Sequence, residues 1–405
     1  MRLTAWYTVR ALPILFPVWT CIPLATTAEG QEAPLVDSVV VGQPLTVEEV
    51  PSLTLGVSAG NPEREFFRVV TPFLLPPNHI VVPLRGYGEI RVFTLDGNLV
   101  AAHGRPGEGP GEFRELGGAW ARGDTIEAFD GILMRVTRFL PDGRIETIHL
   151  NPEGAGYRPN VAVPGGFHDG WLVTGVAGVS DSQRLEIAVA RFSRDGTFAG
   201  TIARAEGPEM YSARGVHTQT PLSPMMFSAT WENALYIGET LTAAVRVLDG
   251  KGKVVNEIVW EGDQISPEDA LRRVVEIAVQ RANPDEKNGL RERLEAAPKP
   301  KSVPVFAEFM VDHLGFVWVR PFEITRDATA VWLYMPQGSF KSRAGGVWWI
   351  FAPEGKKLGS VEIPPDLEPY QITADAVVGI RRDKLGIEYV RVHRLHRQKR
   401  GIDCG

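Results

Sequence analysis

The 405-residue chain is 44% hydrophobic and 23% charged, which excludes wholesale disorder, and its formal net charge of -6 argues against a polyanion-binding surface spread over the molecule. Its 42 glycines and 31 prolines, about 18% of the residues against roughly 12% in an average chain, predict many turns and short strands. Of the two cysteines, Cys21 and Cys404, the first falls in the N-terminal segment, so no disulfide is expected to hold the folded part together.

Residues 1–28 read as an export signal. Arg2 and Arg10 make a basic start, an apolar stretch follows from Ala11 to Ala25, and Thr26, Thr27 and Ala28 are small. The stretch is short for a membrane span and is broken by Pro13, Pro17 and Pro23. This predicts a periplasmic or extracellular protein. Lipid attachment at Cys21 is the alternative, and the preceding Val18-Trp19-Thr20 fits a lipobox poorly. No later segment approaches ~18 uninterrupted apolar residues, so no membrane span is expected. Residues 29–50 read as a linker.

From residue 52 onward the pattern is that of strands. Residues 52–57 form an isolated one. Then a unit recurs in which two apolar runs flank an Asp-Gly or Glu-Gly turn, at Asp96-Gly97, Asp142-Gly143, Asp195-Gly196, Asp249-Gly250 and Glu354-Gly355. These residues accept the positive φ of tight hairpins, so each marks a strand–turn–strand. A second series of runs precedes the hairpins, at 78–82, 124–129, 170–174, 234–238, 315–319 and 376–380, each behind another short apolar segment. Four strands per unit and six units at a period of ~40–50 residues predict an all-β, six-bladed propeller of four-stranded blades. The sixth unit lacks an outer strand, and residues 52–57 are assigned to supply it, because closure removes exposed edges. The propeller is thus placed at 51–396, with a tail at 397–405.

Residues 266–297 break the β pattern. Ser266 suits an N-cap, Pro267 the first turn, and Leu271, Val274, Val275 and Ala278 recur at helical spacing. An α-helical insertion between blades four and five is predicted. The tryptophans Trp120, Trp171, Trp231, Trp260, Trp318, Trp332, Trp348 and Trp349 are expected to pack between blades.

Four stretches carry a family resemblance. They are the loop Gly104-Arg105-Pro106-Gly107-Glu108-Gly109-Pro110-Gly111-Glu112-Phe113, the strand motif in Val311-Asp312-His313-Leu314-Gly315-Phe316-Val317-Trp318-Val319, the run Trp348-Trp349-Ile350-Phe351-Ala352-Pro353-Glu354-Gly355, and residues 378–392. In these the chain resembles exported bacterial six-bladed β-propellers related to NHL-repeat propellers, within the TolB-like group. The resemblance implies the fold and carries no catalytic residue.

Local chemistry is sparse. Gly56-Val57-Ser58-Ala59-Gly60 matches a nucleophile elbow, but Asn61-Pro62 follows in place of a helix, so it reads as a turn. The glycines at 107–111 lack the Lys-Ser/Thr of a phosphate loop. The eight histidines form no local zinc motif. A binding or scaffold module is the leading expectation, with no cofactor and no nucleic acid. One alternative is a Ca²⁺-dependent lactonase- or esterase-like hydrolase, with Asp130, Glu239, Glu308 or Asp375 reaching a metal in the central channel. Another is a structural protein of cell-envelope assembly.

Sorting the long segments by strand order puts them on one face, which would carry Arg85, Tyr87, Arg105, Arg114, His217, Arg320 and Arg381. These cations suggest a local positive pocket for a small anionic ligand or an acidic segment of a partner protein. The competing expectation is that they brace loops by bonding carbonyls and nearby carboxylates.

Overall fold

The structure, a computed structural model, describes residues 45–56, 61–213, 216–262, 265–281, 284–327 and 345–397. Six antiparallel sheets follow one another along the chain. Blade one comprises Phe73–Leu75, His79–Leu84, Glu89–Thr94 and Leu99–His103, and blade two Leu116–Arg122, Thr125–Asp130, Arg135–Phe139 and Ile145–His149. Blade three comprises Val161–Phe167, Gly170–Val179, Arg184–Ser193 and Phe198–Ala213, with a fifth strand, Val216–Gln219. Blade four comprises Met226–Trp231, Ala234–Glu239, Ala244–Leu248 and Val254–Val259, and blade five Phe306–Val311, Val317–Pro321, Gly346–Phe351 and Lys357–Ile363. Blade six joins Glu368–Ile372, Ala376–Arg382 and Glu388–His396 to two N-terminal strands, Thr46–Val47 and Leu53–Gly56, both paired with Glu388–His396.

Each blade presents apolar side chains on both faces, and each meets its neighbour in a buried cluster. The cluster between blades six and one brings Val378, Ile380, Val390 and Val392 against Ile80, Val82, Leu84 and Phe93, with Leu55 of the N-terminal strand among them. The ring is therefore a closed six-bladed β-propeller. Trp171, Trp318 and Trp348 are fully buried between blades as expected, while Trp332 lies outside the described residues.

The turns explain why the pattern was readable. Gly97, Gly143, Gly196 and Gly355 all have positive φ between 83° and 98°. The fourth turn has the same hydrogen-bond span but starts at Asp249 itself, so its left-handed residue is Gly252 and not Gly250, and Asp249 Oδ1 accepts from the amides of Lys251 and Lys253. Several outer strands also begin with one extra residue, as where Phe93 pairs with Leu99 and Val92 with Ala101. Such bulges twist the free edge away from chance pairing.

The Asp312–Trp318 motif is a small buried device. Asp312 Oδ1 accepts from the amides of Leu314 and Phe316 at 2.9 Å each, and Oδ2 accepts from Trp318 Nε1 at 3.0 Å and Arg397 Nη2 at 2.6 Å. Arg397 stacks over Phe316 at 5.4 Å. Arg397, assigned to the tail from the sequence, therefore belongs to the propeller. Asp312→Ala strands two amides, an indole and a guanidinium, and is expected to lower the unfolding free energy by about 3 kcal/mol. Urea denaturation measures this, and a change under about 1 kcal/mol would contradict it.

Other differences from expectation are local. Thr46–Val47 takes part of the presumed linker into blade six. The outer strand of blade three runs on from Phe198 to Ala213, and the chain returns as Val216–Gln219. Ser182 and Arg184 bond Glu206 there, extending the ladder beyond the core. The insertion is helical as expected, α1 spanning Pro267–Arg281 and α2 Lys287–Glu295. A short helix that the sequence did not suggest, α3 at Ile324–Asp327, packs with α1 around Leu222, Ala270 and Val274.

Candidate functional site at the loop-rich face

In an antiparallel four-stranded blade, the connections after the second and the outermost strands share one face. On this face lie the 104–115 loop, the fifth strand of blade three, the insertion with α1 and α2, and α3. The opposite face carries short turns.

The sequence-selected residues sit here, and their guanidiniums are bonded. Arg85 bridges to the next blade, Nε and Nη2 donating to the carbonyls of Leu116 and Gly117 at 2.9 Å each. Burial pushes its pKa down against the pull of Glu115. Arg105 pairs with Glu112 at 2.7 Å and Arg114 with Glu108 at 3.0 Å, both within the 104–115 loop. Arg135 holds that loop from beneath, donating to the carbonyls of Glu108, Gly109 and Glu112. Arg381 bonds Asp366 at 2.6 Å and lies over the ring of Tyr389. Tyr87 is 37% exposed and packs on Phe67, itself 55% exposed, with ring centroids 6.1 Å apart. Gly86 permits this approach, since a Cβ there would lie 2.1 Å from the Phe67 ring. His217 has its backbone in Val216–Gln219, and its side chain lies outside the described residues.

Arg320 is 1% exposed. Its Nε donates to Glu308 at 3.0 Å and its Nη1 to Asp327 at 2.9 Å. Burial alone would lower its pKa, and the two carboxylates more than reverse that, so the guanidinium is held charged. It ties the innermost strand of blade five to α3. Among the described residues, these cations bond the carbonyls and carboxylates of nearby loops.

Sequence reasoning passed over the network in blade six. Arg382 bonds Glu368, and its Nη2 bonds Glu388 Oε1 at 3.0 Å. Glu388 Oε2 accepts from the Val69 amide at 2.7 Å, joining blade six to blade one. Tyr370 donates to Glu368 Oε1 at 3.2 Å, and burial first, then the Glu368 charge, pushes its phenol pKa well above the ordinary value. Parity in the strand sends Arg381 and Arg382 to opposite faces, and it is Arg382 whose face carries Glu368 and Glu388.

The four carboxylates considered for calcium are separately engaged. Asp130 caps the amides of Arg114, Glu115, Ile132 and Leu133, Glu239 bonds Arg246, Glu308 bonds Arg320, and Asp375 bonds Thr373. Among the described residues no three His, Cys, Asp or Glu side chains converge in a way that could hold a metal ion.

Beyond the ring, α1 and α2 enclose a groove of about 440 Å³. Leu271, Val275, Leu294 and Ala297 supply an apolar lining, and the charged lining residues are Glu268, Arg272, Glu276, Arg291 and Lys299. That volume is within the range of small-molecule sites. Among the described residues no helix is long and apolar enough to cross a membrane.

No family model matches the chain, and no curated protein matches it. Solved structures similar to it include a member of the DUF4221 family from Bacteroides vulgatus, 9% identical over 87% of this chain and 99% of that one, with a TM-score of 0.47. Virginiamycin B lyase from Staphylococcus aureus is 12% identical over 87% and 99%, with a TM-score of 0.39. A gluconolactonase from Xanthomonas campestris is 13% identical over 89% and 100%, with a TM-score of 0.42. At these identities no residue, ligand or reaction is transferred to this chain.

Proposed function

We propose that this protein is an exported binding module that takes its ligand on the loop-rich face, in the groove between α1 and α2. The observation that carries this reading is the groove itself. It joins an apolar lining to charged residues, on a face where a rigid ring supports all the long connections. Lys299 is exposed and makes no hydrogen bond or ion pair among the described residues, which favours a small ligand with an apolar body and an anionic end. Export is read from the composition of residues 1–28.

The test uses 8-anilinonaphthalene-1-sulfonate, which has that chemistry. Saturable fluorescence enhancement is expected with the wild-type protein. Leu271→Asp and Lys299→Glu should each weaken it about tenfold or more. Lys251→Glu, on the turn face, should leave it unchanged. An absence of saturable binding, or equal weakening by the turn-face variant, would sink the proposal.

A further inference from the structure

The outer edge of blade six is covered in two pieces. Val47 pairs with Leu395, and Leu53 pairs with Val392. Residues 48–52 therefore span what the facing strand covers with His393 and Arg394 alone. The span is fastened at its ends, where Glu48 N donates to Arg394 O at 2.9 Å and Ser52 N to Val392 O at 2.8 Å. Val50 in its middle is 75% exposed.

His393 lies beneath this span and has no exposed surface. Its Nδ1 is 2.8 Å from the Glu48 carbonyl oxygen. A carbonyl can only accept, so Nδ1 carries the proton and Nε2 the lone pair. Nε2 is buried and has no hydrogen-bond partner among the described residues. A second proton on the ring would sit on Nε2 with no acceptor, a costly position for a charged group.

The charges around the ring do not offset this. Arg391 on the same strand opposes the added charge, and Asp366 across from it is already bonded to Arg391 and Arg381. The Glu48 carboxylate bonds exposed His396 at 2.8 Å. Burial consequently pulls the His393 pKa below its ordinary value, against the opposing pull of the Glu48 carbonyl.

We infer that residues 48–52 form an acid-released strap: a proton on His393 frees the N-terminal outer strand of blade six and uncovers the edge of Glu388–His396, while the other blades stay folded. The sign follows from the neutral ring being the closed form. Closure is fully favoured above the solvated imidazole value of ~6.5 and weakens as pH falls below it. Between pH 7.5 and 5.5 the opening equilibrium should rise about tenfold.

The test is hydrogen exchange of the full chain at pH 7.5 and 5.5, corrected for intrinsic exchange. Protection of residues 46–56 should fall about tenfold on acidification, with the strands of blade three unchanged. His393→Asn, which keeps a donor near Nδ1 and cannot titrate, should remove the pH dependence, and His396→Gln should retain it. Unchanged protection in the wild type, an equal loss in blade three, or pH dependence persisting in His393→Asn would overturn the switch. Should His393→Asn not fold, imidazole ¹⁵N shifts of the wild type decide. A neutral His393 at pH 6 with the strap closed supports the proposal, and titration at 6.5 or above without loss of protection overturns it.

Discussion

Removing the N-terminal residues through Gly56 will lower the melting temperature by about 5 °C or more. The strand Leu53–Gly56 supplies the outer ladder to Glu388–His396, and its Leu55 has no exposed surface within the cluster that joins blades six and one. Deleting a buried leucine side chain alone costs roughly 2–5 kcal/mol, and at about 2.1 cal/mol/K of unfolding entropy per residue a ring of this size shifts by roughly 1–2 °C per kcal/mol. The truncation also frees the edge of Glu388–His396, which then invites pairing between molecules. Differential scanning fluorimetry at low protein concentration measures the first effect and light scattering the second. Adding a peptide of residues 45–56 should recover part of the lost stability. A melting curve unchanged by truncation would mean that the ring closes without this strand.

The ring was legible because its two signals are local and repeated. A strand needs alternation or a short apolar run, and a tight turn needs a residue that tolerates positive φ. Gly97, Gly143, Gly196 and Gly355 satisfy the second in the sequence itself. Closure was also readable, since an outer strand missing at one end and spare at the other have one joint solution. What escaped was anything decided by tertiary partners. Thr46–Val47 is too short to carry a pattern, and α3 forms because Asp327 accepts from the Glu323 amide and bonds Arg320.

The site was legible only as a face. Strand order alone sorts the long connections, so the loop-rich side followed from counting strands. Which arginine does what depends on the partners across the sheet. Arg320 was chosen as a surface cation, yet register places it opposite Glu308, and α3 then covers it with Asp327. Arg105 and Arg114 find carboxylates a few residues away, Glu112 and Glu108, which the Gly-rich loop folds back to meet them. No composition rule distinguishes these from a free cationic patch, because the difference lies in loop geometry.

The buried charge cluster around Arg320 gives the second large effect. Arg320→Met removes the cation and leaves Glu308 and Asp327 facing each other's surroundings at 2% and 1% exposure. Breaking a buried pair by removing one partner costs about 3–5 kcal/mol, because the remaining charge is uncompensated. The variant should therefore unfold at markedly lower denaturant concentration at pH 7. The combination of Arg320→Met with Glu308→Gln and Asp327→Asn should regain most of the loss at pH 7, because no net charge is then buried. A loss in Arg320→Met that the triple variant does not relieve would show that side-chain packing and not charge pairing holds α3 to the innermost strand of blade five.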